Sequence, residues 1–211
     1  MDKTKADVEV IEKQPAFQGY FRVDRYLLKH RLHGGGWSGP LSREVFERGH
    51  VAAVVPYDPV RDEIVFIEQF RVGAYAALQS PWLADGFSPW LLEFVAGIIG
   101  DGETPEGVAV REGREETGLE ITDLIPVANY LSSPGGCSEY VQVYCGRVDA
   151  EGAGGIFGLD HENEDIRVLA VPAAEAFQWL KDGRISNGLT LIALQWLKLN
   201  RDRVRRDWGA T

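Results

Sequence analysis

The 211-residue chain contains only two cysteines, Cys137 and Cys145. That is too few for a disulfide framework or for a zinc site built on thiolates. They read as two reduced thiols of a cytoplasmic protein. No stretch approaches about 18 uninterrupted apolar residues, so no membrane span is expected. The opening Met1-Asp2-Lys3-Thr4-Lys5 is charged and no apolar stretch follows it, so no signal peptide is read. Positive charge is scarce: 22 Lys and Arg stand against 32 Asp and Glu, a net charge of −10. Nucleic acid is therefore not expected as a ligand, because phosphate backbones are held by clustered Lys and Arg. The one basic cluster, from Arg201 to Arg206, reads as a solvated helix end. Internal repeats and low-complexity runs are also missing.

What is present is ordinary globular composition, 45% apolar and 26% charged. A chain of this length buries roughly 70% of its unfolded surface and needs no covalent staple. An acidic protein can still bind a phosphorylated small molecule. It then needs divalent cations and a few well-placed arginines to offset the repulsion.

Residues 1–49 read as a small antiparallel unit and 50–211 as the main domain. The first unit has weak alternation at 8–11, aromatic and aliphatic side chains over 20–32, and a Gly34-Gly35-Gly36 turn before Trp37. Apolar stretches at 51–57 and 64–70 flank Asp58-Pro59-Val60-Arg61-Asp62 and predict a hairpin of two largely buried strands. Residues 76–89 read as a loop, and 91–95 as one short strand. Thr104-Pro105 opens a helix that stops at Gly118. Further strands are expected at 124–131, 140–148 and 166–171, and helices at 173–181 and 188–203. Leu189, Ile192, Ala193, Trp196, Leu197 and Leu199 give the last helix its spacing. The Gly-rich, acid-rich stretch 151–164 is expected to be a mobile loop. Strands and helices mix without regular βαβ alternation, which predicts an α+β fold or a mixed-sheet α/β/α sandwich.

The helix over 105–118 concentrates acids. At 100° per residue from Val108, Glu112, Glu115 and Glu116 fall at about 40°, 340° and 80°. Val110, Gly113 and Thr117 fall at about 200°, 140° and 180°, a small face expected to press on a sheet. Gly113 costs about 1 kcal/mol in a helix interior, which close packing would explain. Two readings of the acids stand. They form a solvated face with Arg111 and Arg114 as partners, or a cluster that a hard cation such as Mg²⁺ neutralises. Like charges at these spacings repel by roughly a few tenths of a kcal/mol per pair, and spacing alone leaves both readings open.

The wider pattern is more specific. From Gly97 the chain runs five residues to Glu103, then seven more to Arg111-Glu112-Gly113-Arg114-Glu115-Glu116-Thr117-Gly118-Leu119. This resembles the Nudix box, the loop-helix-loop of the Nudix hydrolases. One position departs: Gly113 stands where an aliphatic residue is usual. Pro134 lies 16 residues after Gly118, inside Ser132-Ser133-Pro134-Gly135-Gly136, and resembles the ADP-ribose pyrophosphatase branch of the family. So do residues 46–50, 58–62, 68–71, 162–166 and 193–197, and the likeness runs from Val8 to Trp208. Residues 76–89 look longer than the matching stretch in that branch.

The resemblance implies a Nudix fold and Mg²⁺-dependent hydrolysis of ADP-ribose to AMP and ribose 5-phosphate, with Mn²⁺ able to substitute. The same chemistry on another nucleoside diphosphate sugar is the alternative. A non-catalytic ligand sensor of the same fold fits less well, because Glu103, Glu112, Glu115 and Glu116 are all present. The implied metal ligands are the carbonyl of Ala96 and the carboxylates of Glu112, Glu116 and Glu164, with Glu115 in the cluster. There the cation would act as a Lewis acid and hold phosphate and water in line. Glu162 is the implied general base, on a glycine-bearing loop that would close over substrate. Arg71 and Arg43 are candidates for the phosphates or adenine, since guanidinium offers forked hydrogen bonds and a stacking face. Tyr20 or Phe21 could stack on adenine. Ser133, next to Pro134, would line the ribose-phosphate side. Relatives of this type are homodimers that exchange the N-terminal unit, so Tyr20 and Arg43 would serve the partner's site. His161 reads as a solvated loop histidine.

Overall fold

The structure is a computed structural model and describes residues 3–83 and 85–210. Met1 and Asp2 of the charged start, Ala84 of the expected 76–89 loop, and Thr211 lie outside the described residues. The chain forms two compact units, residues 3–50 with 130–140, and residues 51–129 with 141–210.

The smaller unit is an antiparallel sheet of β1 (Val8–Gln18), β2 (Arg22–His30) and β3 (Leu41–Glu47), in that order. The β1–β2 register shifts at Val10/Glu12 and at Pro15/Phe17. Pro15 has no N–H for the ladder, which suits an irregular edge strand. The β1 strand is exposed from end to end, with Val10, Ile11 and Phe17 in solvent. Asp24 is buried on β2 and held by Lys13 at 2.9 Å and Arg22 at 3.0 Å. Residues 130–140 are tied to β3. The Phe46 N–H donates to the Gly136 carbonyl at 2.8 Å, and the Ser138 N–H donates to the Phe46 carbonyl at 3.2 Å.

The larger unit is built on a mixed sheet. Its strands are β4 (Val51–Asp58), β5 (Glu63–Phe70), β6 (Trp90–Glu93), β7 (Val95–Ile98), β8 (Asp123–Leu131), β9 (Tyr140–Arg147), β10 (Gly154–Phe157) and β11 (Ile166–Pro172). The order is β10-β11-β5-β4-β9-β8, with β6 on β5 and β7 on β4. The β4 and β9 strands run parallel, whereas the pairings of β5 and β11 are antiparallel. The helices are the short α1 (Val72–Ala77), then α2 (Pro105–Thr117), α3 (Ala173–Asp182) and α4 (Gly188–Asp207).

All eight residues of β4 are buried, as its unbroken apolar run requires of a strand covered on both faces. Alternation along β5 separates the two faces. Val65 and Ile67 join the cluster that includes Ala109 of α2. Phe66 points the other way, stacking on Phe94 at 4.7 Å and packing against Trp179 of α3 at 5.3 Å. Helices therefore sandwich the sheet. No helix among the described residues is long and apolar enough to cross a membrane.

Four local expectations are corrected. The strand expected over 91–95 is two strands with different partners, because β4 and β5 pair only at Tyr57/Ile64 and Asp58/Glu63 before diverging. The β6 strand then pairs with β5 and β7 with β4, and the break falls at Phe94. The stretch 151–164 is not all loop: β10 pairs with β11, and a 3₁₀ turn follows at Asp160–Glu162. The α1 helix reaches into the expected 76–89 loop. In α4 the buried stripe is Thr190, Ala193, Leu194, Leu197 and Val204, while Leu199 is 85% exposed. Leu199 lies about 200° around the helix from Leu197 and cannot share its face.

Candidate active site

The boundaries of α2 follow from local chemistry. Thr104 caps it by accepting from the Gly107 N–H at 3.1 Å, Pro105 takes the first helical position, and Gly118 ends it at φ +71°. Which face it buries does not follow from propensity. The buried residues are Val108, Ala109, Gly113, Glu116 and Thr117, and Val110 stands exposed. The sheet-facing sector thus includes Glu116, instead of lying opposite the acids. Gly97 on β7 makes room for this rotation. A Cβ added there would stand 1.9 Å from Glu112 Oε1 and 2.2 Å from its Cδ. Close packing does account for Gly113, where an added Cβ would meet Ile121 Cδ1 at 2.4 Å.

Arg111 is the cation of the cluster. Its guanidinium reaches Glu103 at 3.0 Å and both Glu112 and Glu115 at 2.8 Å. Glu103 also accepts from the Gly100 N–H at 2.8 Å, and that bond together with Arg111 lowers its pKa. Glu103 is thereby committed to the turn before α2. Burial raises the pKa of Glu112 against the pull of Arg111, and Glu115 and Glu164 add to the rise. Glu116 is only 4% exposed. Burial first, then repulsion from Glu112, pushes its carboxyl well above the usual range, with Arg71 and the Ala96 amide pulling the other way.

Glu116 Oε2 is buried and has no hydrogen-bond partner among the described residues. Leaving such an atom unsatisfied costs about 1–3 kcal/mol, more when it is charged. Buried carboxylates with an orphaned oxygen suit a hard divalent cation, which takes oxygen ligands. The donor set of Glu112, Glu116 and Glu164 fits that group. No three Asp, Glu, His or Cys side chains among the described residues enclose a preformed cage. Arg111 holds Glu112, and Glu164 Oε2 accepts from the Leu159 N–H at 3.1 Å.

The segment before β11 is anchored to α2 at one end and to Glu164 at the other. Phe157 lies where a side chain on Gly118 would be, 2.5 Å from an added Cβ. At Gly158 the backbone has φ +109° and passes so close that an added Cβ would stand 2.6 Å from Glu164 Cβ. Only glycine combines that conformation with that approach. Glu162 sits on the following 3₁₀ turn with its side chain 56% exposed and His161 Nε2 at 3.6 Å. The structure therefore gathers the Ala96 amide, Glu112, Glu164 and Arg71 around Glu116, with Glu115 joined to Glu112 through Arg111. Glu162 stays outside that group.

Arg71 lies between β5 and α1, at the N-cap of the helix, and its Nε lies 2.6 Å from Glu93 Oε2. Glu93 is buried, and its second oxygen accepts from Asn187 Nδ2. The sequence reading missed Glu93 and Asn187. The signal was there in part: alternation in Trp90-Leu91-Leu92-Glu93 puts a carboxylate on an inward position, which demands a partner. Asn187 precedes Gly188 as a helix cap, accepting from the Thr190 N–H at 3.1 Å.

The remaining expected site residues belong to the smaller unit. Tyr20 is 89% exposed and meets Phe21 edge-on at 4.8 Å, and Phe21 meets Phe46 at 5.1 Å. Arg43, on β3, donates to the Ser42 carbonyl at 2.8 Å. The Ser133 carbonyl closes the turn that contains Pro134, accepting from the Cys137 N–H at 2.9 Å.

With this geometry in hand, likeness to known proteins is informative. The NUDIX domain profile matches residues 47–189. An ADP-ribose pyrophosphatase of Escherichia coli strain K12 is 47% identical over 205 residues, covering 97% of this chain and 94% of that protein. One from Haemophilus influenzae is 40% identical over 205 residues, covering 97% and 92%. A crystal structure of an ADP compounds hydrolase superposes with a TM-score of 0.69 at 19% identity, over 97% of this chain and all of that one, which shows a common fold. The chain belongs to the Nudix family.

Proposed function

We propose that this chain is a divalent-metal-dependent ADP-ribose pyrophosphatase, adding water across the diphosphate to release AMP and ribose 5-phosphate. The observation that carries the reading is the buried, unpartnered Glu116 oxygen beside Glu112, within the field of Glu164 and Arg71. Names borne by relatives of nearly equal length support the substrate.

Glu112, Glu116, Glu164 and the Ala96 carbonyl would hold Mg²⁺ or Mn²⁺, with Glu115 alongside. When bound, such a cation withdraws charge from the phosphate oxygens and lowers the pKa of water. Arg111 bridges Glu112 and Glu115 and offsets the repulsion between them. Arg71 offers its terminal N–H groups to a phosphate and reduces the repulsion between the acids and an anionic substrate. Glu162 takes a proton from the attacking water once the turn that carries it, after β10, folds over substrate. Its exposure in this structure suits a base that arrives late, which protects the site from idle hydrolysis.

Ser133 and Pro134 line the ribose-phosphate side, and Tyr20 and Arg43 hold the adenosine. The N-terminal sheet is exchanged in a homodimer, so Tyr20 and Arg43 serve the partner's site. The support for exchange is β1, an exposed strand with apolar side chains in solvent. Two free thiols, Cys137 and Cys145, suit a cytoplasmic location.

The test is a hydrolysis panel with Mg²⁺ read by mass spectrometry, with ADP-ribose, ADP-glucose, GDP-mannose, diadenosine polyphosphates and NADH at equal concentration. ADP-ribose turning over fastest supports the reading. A faster sugar nucleotide would keep the mechanism and overturn the substrate.

A further inference from the structure

Glu93 is a carboxylate on the buried side of a short strand, and a donor faces each of its oxygens. Arg71 Nε lies 2.6 Å from Oε2, and Asn187 Nδ2 donates to Oε1. Asn187 cannot turn its amide around, because its Oδ1 accepts the Thr190 N–H that caps α4. Its NH₂ group is therefore fixed toward Glu93. The ion pair uses the Nε edge of the guanidinium, and the side chain of Arg71 is 43% exposed while that of Glu93 is 4% exposed. The pair engages Nε, so the four N–H bonds on the two terminal nitrogens remain outside it. Arg71 is also near enough to Glu116 for its charge to act there.

We propose that Glu93, fixed by Asn187, is the positioning residue of Arg71 and presents the terminal nitrogens of the guanidinium to the diphosphate of the substrate. The inference rests on reading Arg71 as a phosphate contact and adds what aims it. A flexible arginine must be immobilised at the moment of binding, and a prior hydrogen bond at Nε removes much of that entropy loss. A carboxylate is required at position 93, beyond the matter of charge. Glutamine has one acceptor oxygen, so its NH₂ group would face a donor, either Arg71 or Asn187.

The test is titration calorimetry of a non-cleavable α,β-methylene analogue of ADP-ribose, with Mg²⁺ present, into the full chain and four variants. These are Arg71→Ala, Glu93→Gln, Asn187→Ala and the Arg71→Ala/Glu93→Gln double. Glu93→Gln should weaken binding about tenfold and Arg71→Ala by at least as much, while the double variant binds within about twofold of Arg71→Ala. On ADP-ribose, Glu93→Gln should raise KM about tenfold and leave kcat within about threefold. A Glu93→Gln variant that binds like wild type overturns the proposal. So does a loss that persists in full in the Arg71→Ala background, the mark of a merely structural role. Wild-type binding by Arg71→Ala overturns both the phosphate contact and its positioning. The same titrations with methylenediphosphonate separate the substrate question, since a probe without nucleoside or ribose should show the same coupling whichever sugar nucleotide the enzyme prefers.

Discussion

Glu112 lies directly over the α-carbon of Gly97, in the space where any other residue would carry its Cβ. A methyl group there would stand 1.9 Å from Glu112 Oε1 and 2.4 Å from its Cγ, so the clash involves the stem of the side chain as well as its tip. The first glycine of the motif and the glutamate that follows Arg111 are thus one packing unit. Gly97 also lies in the ladder opposite Ala52, which keeps β7 from backing away.

Gly97→Ala should therefore expel Glu112 from the cluster and leave the fold in place. Overpacking of this kind costs about 1–3 kcal/mol of stability. A carboxylate misplaced by about 1 Å costs on the order of 100-fold in turnover. Steady-state rates across a Mg²⁺ titration check this, with the half-saturating Mg²⁺ concentration rising as kcat falls. Unchanged metal dependence would detach Glu112 from the metal site.

Glu116 should be a liability to the protein without metal. Its folded pKa is raised, so the folded state keeps a proton that the unfolded state releases. Stability is then present below the unfolded pKa of about 4.3 and is lost as pH rises through the higher folded value. Glu116→Gln should melt higher than wild type in chelator at pH 8, by about 1–3 kcal/mol, with the gap closing toward pH 4. Mg²⁺ should raise the melting temperature of wild type more than that of the variant. Melting curves at both pH values, with and without Mg²⁺, read all three effects.

Ile121 accounts for the unusual glycine in the motif. Its Cδ1 occupies the position next to Gly113, and its Cγ2 would lie 2.9 Å from a Cβ on Gly146. Ile121 thus fills the space beside Gly113 and shares that beside Gly146 with Val54, whose Cγ2 would lie 2.7 Å from the same Cβ. Gly113→Ala alone gains about 1 kcal/mol of helix propensity and loses a similar amount to crowding. In an Ile121→Val background the crowding is relieved, and Gly113→Ala should stabilise by about 1 kcal/mol in urea unfolding. A destabilised double variant would show that backbone approach, rather than Ile121, sets the glycine.

Glu162→Gln tests the base without disturbing the core. A general base contributes about 10²–10⁴ in rate, and the variant should lose that much kcat. Affinity for a non-cleavable analogue and melting temperature should stay close to wild type, since the side chain is 56% exposed and pairs with His161 at 3.6 Å. A near-normal rate would remove Glu162 from the mechanism.

What the sequence made legible was local. The caps of α2 lie within four residues of the helix they terminate, and the acids at 112, 115 and 116 are read on one helix. The rotation of that helix was not legible, because it depends on Gly97 from another element receiving Glu112. Glu93 and Asn187 are 94 residues apart, and only the fold makes them neighbours. The split of 91–95 into β6 and β7 depends on β4 and β5 diverging after two paired positions, which an apolar run does not encode. Leu199 is apolar and close in sequence to the buried stripe of α4, yet off its face.

The most direct measurement is the hydrolysis of ADP-ribose by wild type and Glu116→Gln side by side across a Mg²⁺ titration, with products quantified. Wild type should give AMP and ribose 5-phosphate in equal amounts at a rate that saturates with Mg²⁺ and vanishes in chelator. The variant should fall by a factor on the order of 10³, the loss expected when an essential interaction at the reacting centre is removed. No AMP from wild type, or a variant within threefold of it, would contradict the account.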